Sequence, residues 1–326
     1  MRAAWYDKQG PAAEVLQLGE MPDPVPGPGE VRVRVTASGI HIGDIGKRQG
    51  YWGSTMAYPR VIPHGDGTGF IDAVGEGVDP QRAGERVWIY LAQSYRPFGT
   101  AAGFTTVPAA HAVPLPAAIP DEQAAGLGIP GITGHRAVFA DGPVTGLSVL
   151  VTGALGAVGR AAVAVARRGG ATVVATVRHP SQVAEALEAG AHHAIDVSAG
   201  DAAEQILDAT GNRPIDRVAE LAFDSNQDVN ERILAYQGVI ATYATRDGSP
   251  HVPFWPYAFK NVTVRFLSND DFPEDANAAA ARELAAALQA GDLRYPIAAR
   301  LPLAEIVRAH RLVEDPATAG RVVLTP

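Results

Sequence analysis

The stretch from Ser148 to Arg168 constrains this chain more than any other. Val149-Leu150-Val151 is a short apolar, β-branched run that reads as a buried strand; glycines follow at 153, 156 and 159, and Ala161 to Arg168 is rich in strong helix formers. Strand, glycine turn and helix in that order suit one kind of ligand. Glycines let backbone N–H groups approach a pyrophosphate, and the unpaired amides and dipole of the helix start stabilise its charge. The candidate contacts are Gly153, Ala154, Leu155, Gly156, Ala157, Val158 and Gly159. The spacing is GxxGxxG rather than GxGxxG, and the same glycines would also serve a tight loop between packed elements.

A second strand, Ala171 to Val177, begins after Gly169-Gly170. An NAD site of this construction places an acid at the end of that strand to accept the ribose 2′-hydroxyl. Here Arg178-His179-Pro180 follows instead. No carboxylate repels a 2′-phosphate and Arg178 can bond to one, so the spacing points to NADPH. The plainer reading of Arg178 is a solvated loop residue.

A chain of 326 residues is long for one core, so two domains are expected. Its 47% hydrophobic content supports sizeable cores and a globular protein. The net charge of −8, without a basic run, speaks against nucleic acid as a partner. Zero cysteines exclude disulfides, thiolate nucleophiles and cysteine-ligated metals. No apolar span suggests a signal peptide or membrane helix, which makes a cytoplasmic protein the expectation.

Residues 1–120 read as short strands between Gly and Pro, among them Val31–Val35, Gly69–Val74 and Arg86–Leu91. From residue 121 to 262 strands and helices alternate, which implies a doubly wound parallel sheet. Residues 263–326 leave that pattern, and the simplest topology has them return to complete the first domain. The fold class expected is α/β, a Rossmann domain inserted into a mainly-β domain.

In this order the chain resembles the medium-chain dehydrogenase/reductase superfamily, in its zinc-free, zeta-crystallin-like quinone oxidoreductase branch. The resemblance runs nearly end to end and is carried by Pro28-Gly29-Glu30-Val31, Ser38-Gly39-Ile40-His41-Ile42-Gly43-Asp44, Pro63-His64-Gly65-Asp66-Gly67-Thr68-Gly69 and Val74-Gly75-Glu76-Gly77-Val78. Ala83-Gly84-Glu85-Arg86-Val87, Gly131-Ile132-Thr133-Gly134, the glycine turn and Ala319-Gly320-Arg321-Val322-Val323-Leu324 continue it. It implies a GroES-like catalytic domain, a cytoplasmic homodimer, NADPH, and a small electrophilic acceptor.

Zinc members of the superfamily carry a cysteine where His41 stands, a histidine where Gly65 stands and a cysteine near Ile129. Glycine and isoleucine bind no metal, so no zinc is expected. A site without a Lewis acid suits acceptors that spread charge over their own π-system: quinones and α,β-unsaturated carbonyl compounds. By the resemblance, His41 and Asp44 are the catalytic candidates. His41 replaces the usual asparagine and would donate a hydrogen bond to a developing oxyanion, supply a proton as imidazolium, or merely bond to backbone. Asp44 and Asp66 form an acid pair better read as shaping the cleft. Tyr51 and Trp52 would stack on a flat acceptor or pack the loop, and Thr133, Ala241 and Tyr243 would meet the cofactor. Phe254-Trp255-Pro256-Tyr257 reads as a substrate wall or a dimer contact. An enoyl-thioester or other alkene reductase, and a non-catalytic NADPH-binding redox sensor, remain the alternatives.

Overall fold

The structure, a computed structural model, describes residues 1–326 apart from the side chain of Trp52. It divides into two compact units, residues 1–130 with 295–326, and residues 131–294.

The first unit is built on Glu30–Gly39, whose inward residues Val31, Val33 and Val35 alternate with more exposed ones. This period of two buries one face of a pleated strand. Asp66–Val74 pairs antiparallel along its length, with Val35 opposite Gly69. A Cβ at Gly69 would lie 2.1 Å from the Arg34 carbonyl oxygen, so only glycine permits that approach. The sheet runs in the order Ile297–Pro302, Arg321–Thr325, Glu30–Gly39, Asp66–Val74, Arg86–Ile89, Ala112–Pro114, with Phe104–Pro108 also on Glu30–Gly39. Val31, Val33, Ile71, Val87 and Ile89 form one core, and Ile40, Ile45, Ile62, Leu303 and Ile306 a second beneath the helices Ile42–Gln49 and Ile306–Glu314.

The second unit is a six-stranded sheet whose pairs are all parallel. Its order is His193–Asp196, Thr172–Val177, Ser148–Val151, Ile215–Glu220, Leu234–Thr242, Thr263–Phe266. Counted from Ser148–Val151 this is 3-2-1-4-5-6, the doubly wound Rossmann arrangement, and the strand order reverses beside Ser148–Val151. The central strands Ser148–Val151 and Thr172–Val177 are buried almost throughout, as expected of a parallel sheet covered by helices on both faces.

The expected boundaries need correction. Thr263–Phe266 is the sixth strand of the parallel sheet, paired with Leu234–Thr242, and the alanine-rich helix Glu274–Ala290 packs on Ile132–Phe139 and Ala157–Arg168. Residues 263–294 therefore belong to the second unit, and only residues 295–326 return to the first. The start of the second unit also moves, from 121 to 131, because Asp121 stays tied to the first sheet through Thr36 and Arg86.

Candidate active site

In the first unit His41 stands at the N-cap of Ile42–Gln49 and is 8% exposed. Its Nδ1 accepts a hydrogen bond from the Gly43 N–H at 3.1 Å, and the His41 main-chain N–H donates to Asp44 Oδ2 at 2.9 Å. The two bonds form a capping box with histidine in the place usually taken by Ser or Thr. A Cβ at position 43 would meet the ring at 2.8 Å, so glycine is what lets the imidazole fold over the helix start.

This cap decides the protonation of His41. Because Nδ1 is an acceptor, the neutral ring carries its proton on Nε2. That Nε2–H is buried without a hydrogen-bond partner among the described residues; Asp44 Oδ2, at 3.3 Å, lies out of line with it. Burial, with the charges of Arg321 and Lys47, holds the ring well below the usual histidine range. The capped, buried ring is thus disfavoured as an imidazolium and keeps one neutral N–H. Asp44, at the third position of the helix, closes the box by accepting from the His41 main-chain N–H.

Asp66, fully buried, begins the next strand, and both its oxygens accept from the Ile129 N–H at 2.9 Å. A Cβ at Gly128 would lie 2.1 Å from Asp66 Oδ1, so the kinked turn at Leu127–Gly131 needs its glycine to admit the carboxyl. Burial pushes the Asp66 carboxyl up to about 8, against the opposing pull of the Ile129 N–H and Arg321. Gly65 sits between these groups: a Cβ there would be 2.7 Å from Ile129 Cδ1 and 4.0 Å from His41 Nε2. Among the described residues no group of three or more His, Cys, Asp or Glu is placed to hold a metal.

Arg321 is the residue that the sequence reading undervalued. It is 7% exposed, and its Nε and one terminal nitrogen are buried with no hydrogen-bond partner among the described residues. A buried, unpaired guanidinium is costly and suits an anionic ligand. Its position at the head of the last strand gave no signal beyond the motif match. Tyr51 is exposed in a short turn, and the Trp52 side chain lies outside the described residues.

In the second unit the glycine turn joins Ser148–Val151 to the helix Ala157–Arg168. Gly153 has φ 59°, and a Cβ there would be 2.3 Å from Leu221 Cδ2. At Gly159 a Cβ would lie 2.3 Å from the Gly153 carbonyl oxygen and 2.7 Å from the Ala154 Cα. The helix therefore starts in contact with the turn, and its first amides have no intrahelical acceptor. This cradle fits a pyrophosphate. Across the switch point, Glu220 is wholly buried and accepts from Thr152 Oγ1 (2.8 Å), the Ala222 N–H (2.7 Å) and the side-chain amides of Asn226 and Asn230 (both 2.9 Å). Thr152 Oγ1 in turn accepts from the Leu221 N–H at 2.8 Å, which fixes the strand end against the turn.

Arg178 is exposed just past Thr172–Val177; its N–H donates to Gln182 Oε1, and its guanidinium forms no ion pair among the described residues. Thr133 is buried on Ile132–Phe139. Ala241 is fully buried and paired on both sides, to Ala219 and Arg265. Tyr243 emerges just beyond that strand with its hydroxyl buried and unpartnered among the described residues, and burial pushes that hydroxyl well above the usual range.

Two family profiles match, the alcohol dehydrogenase GroES-like domain over residues 27–117 and zinc-binding dehydrogenase over 157–283. Together with the fold, they make this chain an enzyme of the medium-chain dehydrogenase/reductase superfamily. Within it, the relatives place the chain in the quinone oxidoreductase branch. It is 28% identical to a quinone oxidoreductase of Rattus norvegicus, over 95% of this chain and 94% of that protein. It is also 28% identical to a 2-haloacrylate reductase of a Burkholderia species, over 100% and 99%. Among solved structures, Escherichia coli quinone oxidoreductase complexed with NADPH matches with a TM-score of 0.85 and 26% identity, over all of both chains.

Proposed function

We propose that this enzyme is an NADPH-dependent reductase of quinones or α,β-unsaturated carbonyl compounds, acting without a metal. The bound cofactor supplies a hydride; the acceptor takes that hydride and one proton, leaving NADP⁺ and the two-electron-reduced product. In the second unit the glycine turn and first amides of Ala157–Arg168 hold the pyrophosphate, Arg178 meets the 2′-phosphate, and Thr133 and Tyr243 contact the rest of the cofactor. In the first unit His41 does the chemical work. Its Nε2–H is a buried donor already desolvated and held by its cap, so it stabilises the oxyanion that forms as the hydride arrives. The proton comes from water.

That unpartnered Nε2–H is the observation that carries the reading. Removing a donor of this kind lowers turnover on the order of 10²-fold. His41→Leu should do so with NADPH affinity unchanged, and His41→Asn, which keeps both a cap and a donor, should stay within about tenfold of wild type. Equal turnover of His41→Leu and wild type across a panel of quinones and enones refutes the role.

A second reading rests on Arg321: an acceptor that is an unsaturated carboxylate would pair with its orphaned guanidinium. The 2-haloacrylate reductase among the relatives supports it. A loss in Arg321→Met confined to carboxylate acceptors favours this reading, whereas an equal loss for neutral enones with weaker NADPH binding assigns Arg321 to the cofactor.

The reading includes a cytoplasmic homodimer. Phe254, Trp255 and Phe259 on Phe254–Lys260 are exposed, as is Phe266 on the edge strand Thr263–Phe266. An apolar patch beside an open strand edge suits a second copy. Sedimentation equilibrium showing only monomer at micromolar concentration contradicts this.

A further inference from the structure

His64 is in a conformation that a non-glycine residue rarely adopts. Its φ is 77°, in the left-handed region, and it is completely buried. Such a backbone is strained and persists only where the surroundings determine it.

Two ring bonds do so. His64 Nδ1 lies 2.8 Å from Ser38 Oγ, and its Nε2 lies 3.0 Å from Nε2 of His310, a residue 246 positions away on Ile306–Glu314. The protons of this pair follow from its neighbours. Arg48 Nε–H, which can only donate, lies 3.2 Å from His310 Nδ1, so that nitrogen accepts and the His310 proton sits on Nε2. His310 Nε2–H then donates to His64 Nε2, and His64 Nδ1–H donates to Ser38 Oγ. The Ser38 hydroxyl donates to Thr100 Oγ1 at 2.7 Å, and Thr100 donates to the Asp66 carbonyl oxygen at 2.6 Å. Each link has one donor and one acceptor.

This chain of bonds starts from an anchored cation, since Arg48 also bonds to the Gly10 carbonyl and to Glu314. It closes on the turn it serves: the His64 side chain enters it and the Asp66 carbonyl ends it, while the Thr100 N–H holds the His64 carbonyl at 2.9 Å. Between them Gly65 faces His41 Nε2.

We propose that His64 and His310 are positioning residues, a neutral imidazole pair with one permitted pattern of protons that fixes the His64–Asp66 turn against the His41 donor. The proposal rests on the reading of His41 given above. A single added proton breaks the pattern: it places two N–H groups face to face at Nε2, or sets an N–H of His310 against Arg48. The groups facing His310 are Arg48 and His64; those facing His64 are Ser38 and His310, with Arg321 and His41 nearby. Burial, reinforced by the charges of these neighbours, pushes His64 down to about 3 and holds His310 well below the usual range. The lock therefore survives at neutral pH and opens in acid.

Long-range ¹H–¹⁵N spectra of the full chain labelled at histidine test the proton pattern directly, with resonances assigned from His64→Gly and His310→Gln. At pH 7 the expected result is the Nδ1–H form of His64 and the Nε2–H form of His310, both uncharged. Either ring charged at pH 7, or the opposite tautomers, overturns the lock. Its effect on the site is read in turnover. His310→Leu should lower kcat at least tenfold with NADPH affinity unchanged, while His310→Gln, whose amide reaches His64 Nε2, should recover most of the loss. If His310→Leu does not fold, His64→Gly replaces it, because glycine tolerates φ 77° while the lock is lost. Wild-type kcat in either folded variant refutes the positioning role. If the wild type itself turns over no acceptor, the functional reading fails separately, and the His41 Nε2–H resonance becomes the readout. A shift in His310→Leu or His64→Gly upholds the lock, and no shift overturns it.

Discussion

Asp66→Asn is the perturbation with the most decisive sign. In the folded chain burial pushes this carboxyl up to about 8, whereas in the unfolded chain it titrates near 3.9. Between those values the folded state holds a proton that the unfolded state has released, so Asp66 lowers stability as pH rises. The slope is about 1.4 kcal/mol per pH unit, and over roughly four units the total is on the order of 5 kcal/mol. Asparagine does not titrate. The buried histidines act in the opposite direction, losing stability as pH falls from about 6.5 towards the low folded value of His64, but they are common to both proteins and cancel in the difference. Urea unfolding of both proteins at pH 5, 6, 7 and 8 should show Asp66→Asn gaining on wild type with each step, by several kcal/mol in all. A difference that stays flat over this range, or falls, shows that Asp66 is ionised when folded and refutes the argument.

Two further outcomes follow from the cofactor unit. Gly159→Ala drives a methyl group into the Gly153 carbonyl and the Ala154 backbone, so the helix start must move, at about 1–3 kcal/mol. NADPH binding, followed by fluorescence titration, should weaken roughly tenfold or more, and an unchanged Kd refutes the cradle. Arg178→Ala should weaken NADPH roughly tenfold and leave NADH nearly unaffected, since the partner proposed for the exposed guanidinium is the 2′-phosphate; equal losses for both cofactors contradict that assignment.

Features whose chemistry is local were legible in the sequence. The glycine turn is readable because Gly153 and Gly159 answer to contacts within the turn or across one neighbouring strand end. The strand that follows it, Thr172–Val177, is readable in the same way, since Gly169-Gly170 precede a β-branched run. By contrast Ile42–Gln49 carries two glycines and is capped by a histidine, so nothing in it announces a helix, yet it positions both His41 and Asp44. Thr263–Phe266 reads as a strand, but which sheet it joins is a tertiary matter, and the boundary was misplaced for that reason. The pairing of His64 with His310 leaves no local trace. Neither residue is patterned for it, and only folding brings the two Nε2 atoms to 3.0 Å.

On the proposed function, hydride leaves NADPH for a conjugated acceptor, and a neutral His41 donates to the oxyanion that forms. Single-turnover mixing of enzyme-bound NADPH, unlabelled or deuterated at the transferred position of C4, against quinones and enones at 340 nm tests it most directly. The expected result is acceptor-dependent oxidation, a primary isotope effect, and a rate about 10²-fold lower in His41→Leu. Oxidation that no acceptor accelerates, or that proceeds equally fast in His41→Leu, contradicts it.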